Sequence, residues 1–221
     1  MIQKLFEYKP LDVVELSTET IDGKRHYVVP TGEKYPSVTT VLSKLSEPHI
    51  REWREKVGEE EANKISKRAA NRGTKVHEIA EKYMQGDKTF LDGHNPLSVS
   101  MFADIKPIID NNITEVYGNE FPLYSHELRT AGRCDLVCSF QNIPTIADFK
   151  TSTKYKREEW ITGYFIQCTC YAMMVEERYG LHIPQIAVII AVENDNPQLF
   201  VKKTESYTDQ VVQLFKYGRI L

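Results

Sequence analysis

Cysteine is scarce in this chain, four residues in 221, and no two of them form a CxxC pair. Cys134, Cys138, Cys168 and Cys170 fall within segments that read as regular elements, whereas a four-thiolate zinc or iron–sulfur site uses loop spacing. They read instead as small buried hydrophobes. No apolar run approaches the roughly 20 residues that cross a bilayer, so no membrane association is expected. An excess of charge is lacking too: 28 Lys and Arg stand against 31 Asp and Glu, a net charge of −3. No global positive field marks a nucleic-acid binder. That is a weak exclusion, because cations are concentrated locally in KRAANRGTK and KYKR. Internal repeats and low-complexity linkers are absent. The opening MIQKLFEYKP has neither an apolar h-region nor a small-residue cleavage site, so no secretory signal and a cytoplasmic location are expected.

What is present is ordinary for a globular chain, with 41% hydrophobic and 27% charged residues. The length suits a single domain with an N-terminal extension. Residues 1–45 look rich in strands and turns: KRHYVVP reads as a short strand, PTGEKYP as a loop, and SVTTVLSKL as a short helix entered at Ser37. Residues 46–118 read as mostly helical. One helical pattern runs from Glu47 to Met84, with Val76, Ile79, Ala80 and Tyr83 on one face and Gly86 as its stop. Another spans Ser100 to Tyr117, with Pro107 as a kink point.

From residue 119 the texture turns to alternation. Three antiparallel strands are predicted at 119–129, 132–140 and 144–150, with turns at TAG and QN. A long helix follows from Glu158 to Tyr179, ending at Gly180. The continuous run IPQIAVIIAV reads as a strand buried on both faces, paired with QLFVKK across NDNP. A last helix covers 206–217. The order predicts an α/β fold, a mixed central sheet flanked by helices.

Within this frame TIADFKTSTKYK puts two opposite charges into an apolar run. Alternation places Ile146, Asp148 and Lys150 on one face, and Cys134, Leu136, Cys138 and Phe140 opposite Arg133, Asp135, Val137 and Ser139. Residues two apart on a strand lie about 7 Å apart, so Asp148 and Lys150 can serve one small site. If the second and third strands pair as a hairpin, Asp135 approaches Asp148. Two carboxylates at the end of an apolar sheet repel unless a cation lies between them, and a hard divalent ion suits oxygen ligands. The plainer reading of any single D-x-K is an exposed pair near a strand end. Upstream, His77 and Glu81 share a helical face; downstream, Gln167 and Tyr171 lie one turn apart. Each alone has little specificity, but their order and spacing together do not look accidental.

That combination resembles the RecB-like branch of the PD-(D/E)xK nucleases, and within it the mitochondrial genome maintenance exonuclease group with its viral and bacterial relatives. The likeness runs through YPSVTTVL, GTKVHEIAE, AGRCDLV, IADFKTSTK and QCTCYAMM, about residues 35–200. The second acid, Asp148, stands where the family more often has Glu.

The resemblance implies a restriction-endonuclease-like fold, one nuclease domain over 1–221 with its core at 119–221. By it, Asp135 and Asp148 are the two core acids, Lys150 the core lysine, His77 a helical metal ligand and the Phe149 carbonyl a further one. Gln167 and Tyr171 match the pair that braces the site and contacts DNA. The cofactor implied is Mg2+ or Mn2+, and no iron–sulfur cluster is expected because the cysteine spacing differs from that of cluster-bearing relatives.

The activity implied is phosphodiester hydrolysis by a DNA exonuclease acting on single strands or free ends, in replication, repair, recombination or viral DNA metabolism of a bacterial or virus-infected cell. A flap or structure-specific endonuclease and an inactive DNA-binding protein are the alternatives. Arg72, Lys75, Thr151, Ser152, Lys154, Lys156 and Arg157 are candidate phosphate contacts. Ser37 and Thr39 match the family's PSVT segment and are further DNA contacts by resemblance, with helix capping the plainer reading. Tyr83, Tyr155, Trp160 and Tyr164 are candidate platforms for unpaired bases, packing being the plainer reading of each.

Overall fold

The computed structural model describes residues 4–219; the ends of the expected domain, 1–3 and 220–221, lie outside them. Four short strands open the chain: β1 (Glu7–Tyr8), β2 (Ser17–Ile21), β3 (Lys24–Val28) and β4 (Lys34–Pro36). Three helices follow, α1 (Val38–Val57), α2 (Glu59–Met84) and α3 (Pro96–Asn112). Next come β5 (Ile113–Ser125), β6 (Thr130–Phe140), β7 (Ile143–Ser152), α4 (Thr162–Tyr179), β8 (Gln185–Val192) and β9 (Gln198–Lys203). A mixed six-stranded sheet runs in the order β1-β5-β6-β7-β8-β9, and β2-β3-β4 form a second, small sheet. β5, β6 and β7 make an antiparallel meander; α4 then crosses over to set β8 parallel to β7.

Helices cover both faces of the large sheet. Val38, Phe165, Cys168 and Val175 from α1 and α4 pack on Ile146, Val188 and Ile190. On the opposite face Val76, Ile79, Phe102 and Ile105 from α2 and α3 pack on Ala147, Phe149, Ala187 and Ile189. Every residue from Ile186 to Val192 is buried, as a strand covered on both faces requires.

Several boundaries differ from expectation for local reasons. The helical stretch around Glu47–Met84 is two helices, broken at Gly58, whose φ of 85° and ψ of 146° suit glycine. The helix entered at Ser37 extends to 20 residues, through Pro48. The expected helix to Tyr117 stops at Asn112, because β-branched Ile113, Thr114 and Val116 favour the strand that starts there. The turn expected at TAG falls earlier, at 126–129, where Arg129 takes a φ of 50° and Ser125 Oγ accepts from the Leu128 amide at 2.9 Å. Residues 158–160 form a separate 3-10 turn before α4, which ends at left-handed Gly180. The last expected helix is a 3-10 turn, one α-turn (α5, Thr208–Val211) and a π-turn.

β6 and β7 pair only from Leu136↔Ala147 to Phe140↔Ile143. Beyond that point β6 stays with β5 and β7 stays with β8, so the sheet forks. The edge of β6 left free by β7 is taken by the chain entering α1: Ser37 bridges Ala131, and Thr130 Oγ1 donates to the Pro36 carbonyl at 2.8 Å.

Candidate active site

The fork opens at Asp135 on β6 and Asp148 on β7, the two residues that follow the last paired positions. The alternation of β6 also breaks here. Leu136, Cys138 and Phe140 pack toward α2 and α3, but Cys134 packs with Val137 on the α4 side. The expectation that Cys134 shares a face with Leu136 therefore fails, because the strand twists where it leaves its partner. Asp135 is fixed at the twist: its Oδ2 accepts the Phe149 amide at 2.8 Å. From α2, His77 Nδ1 lies 3.5 Å from the same oxygen. The His77 ring meets the Phe149 ring edge to face, 6.4 Å between centres. The Phe149 amide meets Asp135 alone, and its carbonyl is the group that the resemblance assigns to the metal.

A third acid, absent from the sequence reading, joins this group. Glu120 sits on β5 between the pairs Asn119↔Leu136 and Phe121↔Cys134, which places it opposite Asp135. Ligand atoms of His77, Glu120 and Asp135 all lie within 4.8 Å of one another. Glu120 adopts a φ of 46°, a left-handed conformation that costs a non-glycine residue about 1–3 kcal/mol. Burial, then the Asp135 charge, push its carboxyl up to about 7. Its sequence signal is weak: one of two acids on β5, facing Asp135 across the hairpin.

Asp148 stands on the α4 side of the fork, its side chain 2% exposed. Gln167 Nε2 donates to its Oδ1 at 3.1 Å, and the Lys150 ammonium touches Oδ2 as an ion pair off the hydrogen-bonding axis. Burial pushes Asp148 up to about 6, with Lys150 opposing and Asp135 adding to the rise. Burial also works against the charge on Lys150, but Asp148 and Asp135 outweigh it and its pKa rises. Lys150 is therefore an ammonium, 5.1 Å from the Tyr164 ring centre. Tyr171 makes no hydrogen bond to either acid among the described residues, though it feels the charge of both. It is buried under β6, where a Cβ on Gly132 would lie 2.5 Å from its hydroxyl. The two residues of the Gln–Tyr pair thus act apart, one on Asp148 and one under the strand carrying Asp135.

The donor set fits a hard divalent ion. Glu120, Asp135 and His77 converge, Asp148 stands close enough to feel the Asp135 charge, and burial first, then Asp135, drives Glu120 toward protonation. A cation held there would displace that proton. The folded chain holds the Glu120 proton more tightly than the unfolded chain, between pH about 4.5 and 7, so stability falls as pH rises through that window. Glu120→Gln is expected to raise the melting temperature of the EDTA-treated protein at pH 8 and to flatten its pH profile. It should also shrink the melting shift that Mg2+ produces in the parent chain.

Of the expected DNA contacts, Arg72, Lys75, Thr151 and Lys156 line one cleft of about 1120 Å3 together with Arg68 and Thr153. The Arg72 Nε is buried with no hydrogen-bond partner among the described residues, and its Nη1 lies 3.4 Å from Glu193. Lys75 pairs with Glu78 at 2.7 Å. Ser152 turns inward, its Oγ donating to the Lys154 carbonyl at 2.6 Å, while the Lys154 side chain is outside the cleft lining. Ser37 Oγ caps α1 by accepting the Thr40 amide at 3.0 Å, and Thr39 lines a different cleft. Among the candidate aromatics, Tyr83 is a core residue that donates to Asp110 at 2.6 Å, whereas Tyr155 and Trp160 are exposed. The four cysteines are buried and free, and burial raises every thiol pKa. No helix among the described residues is long and apolar enough to cross a membrane.

No family model and no curated protein matches the chain. Among solved structures it is similar to a protein from Eubacterium rectale assigned as an exonuclease, with a TM-score of 0.41 and 13% identity over 68% of this chain and 69% of that one.

Proposed function

We propose that this chain is a divalent-metal-dependent deoxyribonuclease acting as an exonuclease on free ends of single-stranded DNA. The observation that carries the reading is the fork, where His77, Glu120 and Asp135 converge beside the Asp148–Lys150 pair. His77 comes from the helical part and the acids from the sheet, which supports reading residues 1–221 as one nuclease domain.

His77, Glu120 and Asp135 would hold Mg2+ or Mn2+, with Asp148 beside them. Such an ion, when bound, acts as a Lewis acid toward a phosphate oxygen and makes water a nucleophile near neutral pH. The chain's own residues do the rest. Asp135 is oriented by the Phe149 amide, and Asp148 by Gln167. Lys150, held protonated, is a donor and not a base, so it stabilises negative charge building on the phosphate or orients the attacking water through its lone pair. The cleft around Arg72 takes the phosphates of the strand leading to the site, contacts that carry no base information. Arg72→Ala is expected to weaken binding of a single-stranded oligomer about tenfold and to reduce the salt slope by about one, read by fluorescence anisotropy from 50 to 200 mM salt.

Linear and circular single-stranded DNA incubated with Mg2+ test the reading. An exonuclease degrades only the linear form. Cutting of both circles and linear strands would make the enzyme an endonuclease, and cutting of neither would leave a DNA-binding protein.

A further inference from the structure

A second cleft, of about 850 Å3, adjoins the Asp148–Lys150 pair through residues that contact it. Its lining includes Gln167, which holds Asp148, and Tyr164, whose ring stands against the Lys150 ammonium. One wall is a stripe of α1 at helical spacing, Thr39, Leu42, Ser43 and Ser46. Trp160 stands at its mouth, 64% exposed on the short turn before α4, with the Arg157 guanidinium 5.2 Å from its ring centre. An indole left that open is not packing. The two clefts differ in chemistry: four cations line the first, while the second carries Glu159, His49 and Arg219 around a lining mostly of aromatic, aliphatic, hydroxyl and amide groups.

Phosphates have little to hold them in the second cleft. Nucleobases, flat apolar faces with polar edges, match it on both counts: the rings and leucines take the faces, and the Ser, Thr and Gln side chains take the edges. We infer that this cleft receives unpaired bases next to the phosphate being cleaved, with Trp160 and Tyr164 as stacking platforms. The inference rests on the nuclease reading and sharpens it. A duplex keeps its base faces inside its own stack, so only a single-stranded segment fills the cleft.

The test compares an eight-nucleotide oligothymidylate with an abasic oligomer of equal length, binding to the full chain in EDTA by anisotropy. Trp160→Ala is expected to weaken binding of the oligothymidylate about tenfold, the scale of one base–aromatic stack, and to leave the abasic oligomer unaffected. Trp160→Phe should keep most of the affinity. Equal binding of oligothymidylate by the parent chain and Trp160→Ala overturns the inference, as does an equal loss on the abasic oligomer, which would make Trp160 a backbone contact. Cleavage is read separately with Mn2+. Base-dependent binding without cleavage by the parent chain sinks the nuclease reading and keeps the cleft; cleavage without base dependence does the reverse.

Discussion

Lys150→Ala is expected to lower single-turnover cleavage of linear single-stranded DNA by about 10²–10³-fold, the usual cost of losing one donor aimed at developing charge. Binding in EDTA should change far less, because the Arg72 cleft lies outside the pair. The same substitution also removes the cation beside a fully buried carboxylate. Breaking a buried pair from one side costs about 3–5 kcal/mol when the remaining group stays charged, and Asp148 escapes part of that by taking up a proton. A melt must therefore accompany the kinetics. The double variant Asp148→Asn, Lys150→Met removes both charges and is expected to recover stability while remaining inactive. Turnover by a folded Lys150→Ala protein at the parent rate would remove the lysine from the chemistry.

The second large effect is purely structural. Gly132→Ala places a methyl group 2.5 Å from the Tyr171 hydroxyl and 2.9 Å from a ring carbon. Tyr171 is buried and has no free end to swing away, so either the ring or β6 must move. Overpacking of this kind costs about 1–3 kcal/mol, which at this chain length is a loss of roughly 2–4 °C in Tm per kcal/mol. Asp135 lies three residues along the same strand, so activity is expected to fall as well. Tyr171→Phe removes the shortest contact and is expected to restore part of the stability in the double variant, measured by urea unfolding. No loss in Gly132→Ala would mean that Tyr171 does not prop the strand.

The main lines of this architecture were readable because they follow from period. Alternation put Asp148 and Lys150 together and the hairpin register set Asp135 just beyond the last paired residues, but the close donor group is His77, Glu120 and Asp135 and leaves Asp148 outside it. The run IPQIAVIIAV announced a strand covered on both sides. What escaped depends on departures from period. Glu120 reaches the site through a left-handed backbone, and no pattern of hydrophobicity encodes one strained φ. The twist at Asp135 moved Cys134 to the other face for the same reason. Gly58 broke a long helix at a position where the residues on either side would have continued it. Gly132 looked like a turn residue, but its use is to leave room for an aromatic ring from α4.

The fork has a cost outside the chemistry. A strand that loses its neighbour exposes a row of unpaired amides and carbonyls, a template for pairing with another chain. On β6 that row is met by Ser37, which bridges Ala131, while the Thr130 side chain holds the Pro36 carbonyl, so this segment works as an edge guard. A chain shortened to begin after residue 37 would keep its acids and its lysine and would present bare β-edge to its neighbours, inviting self-association.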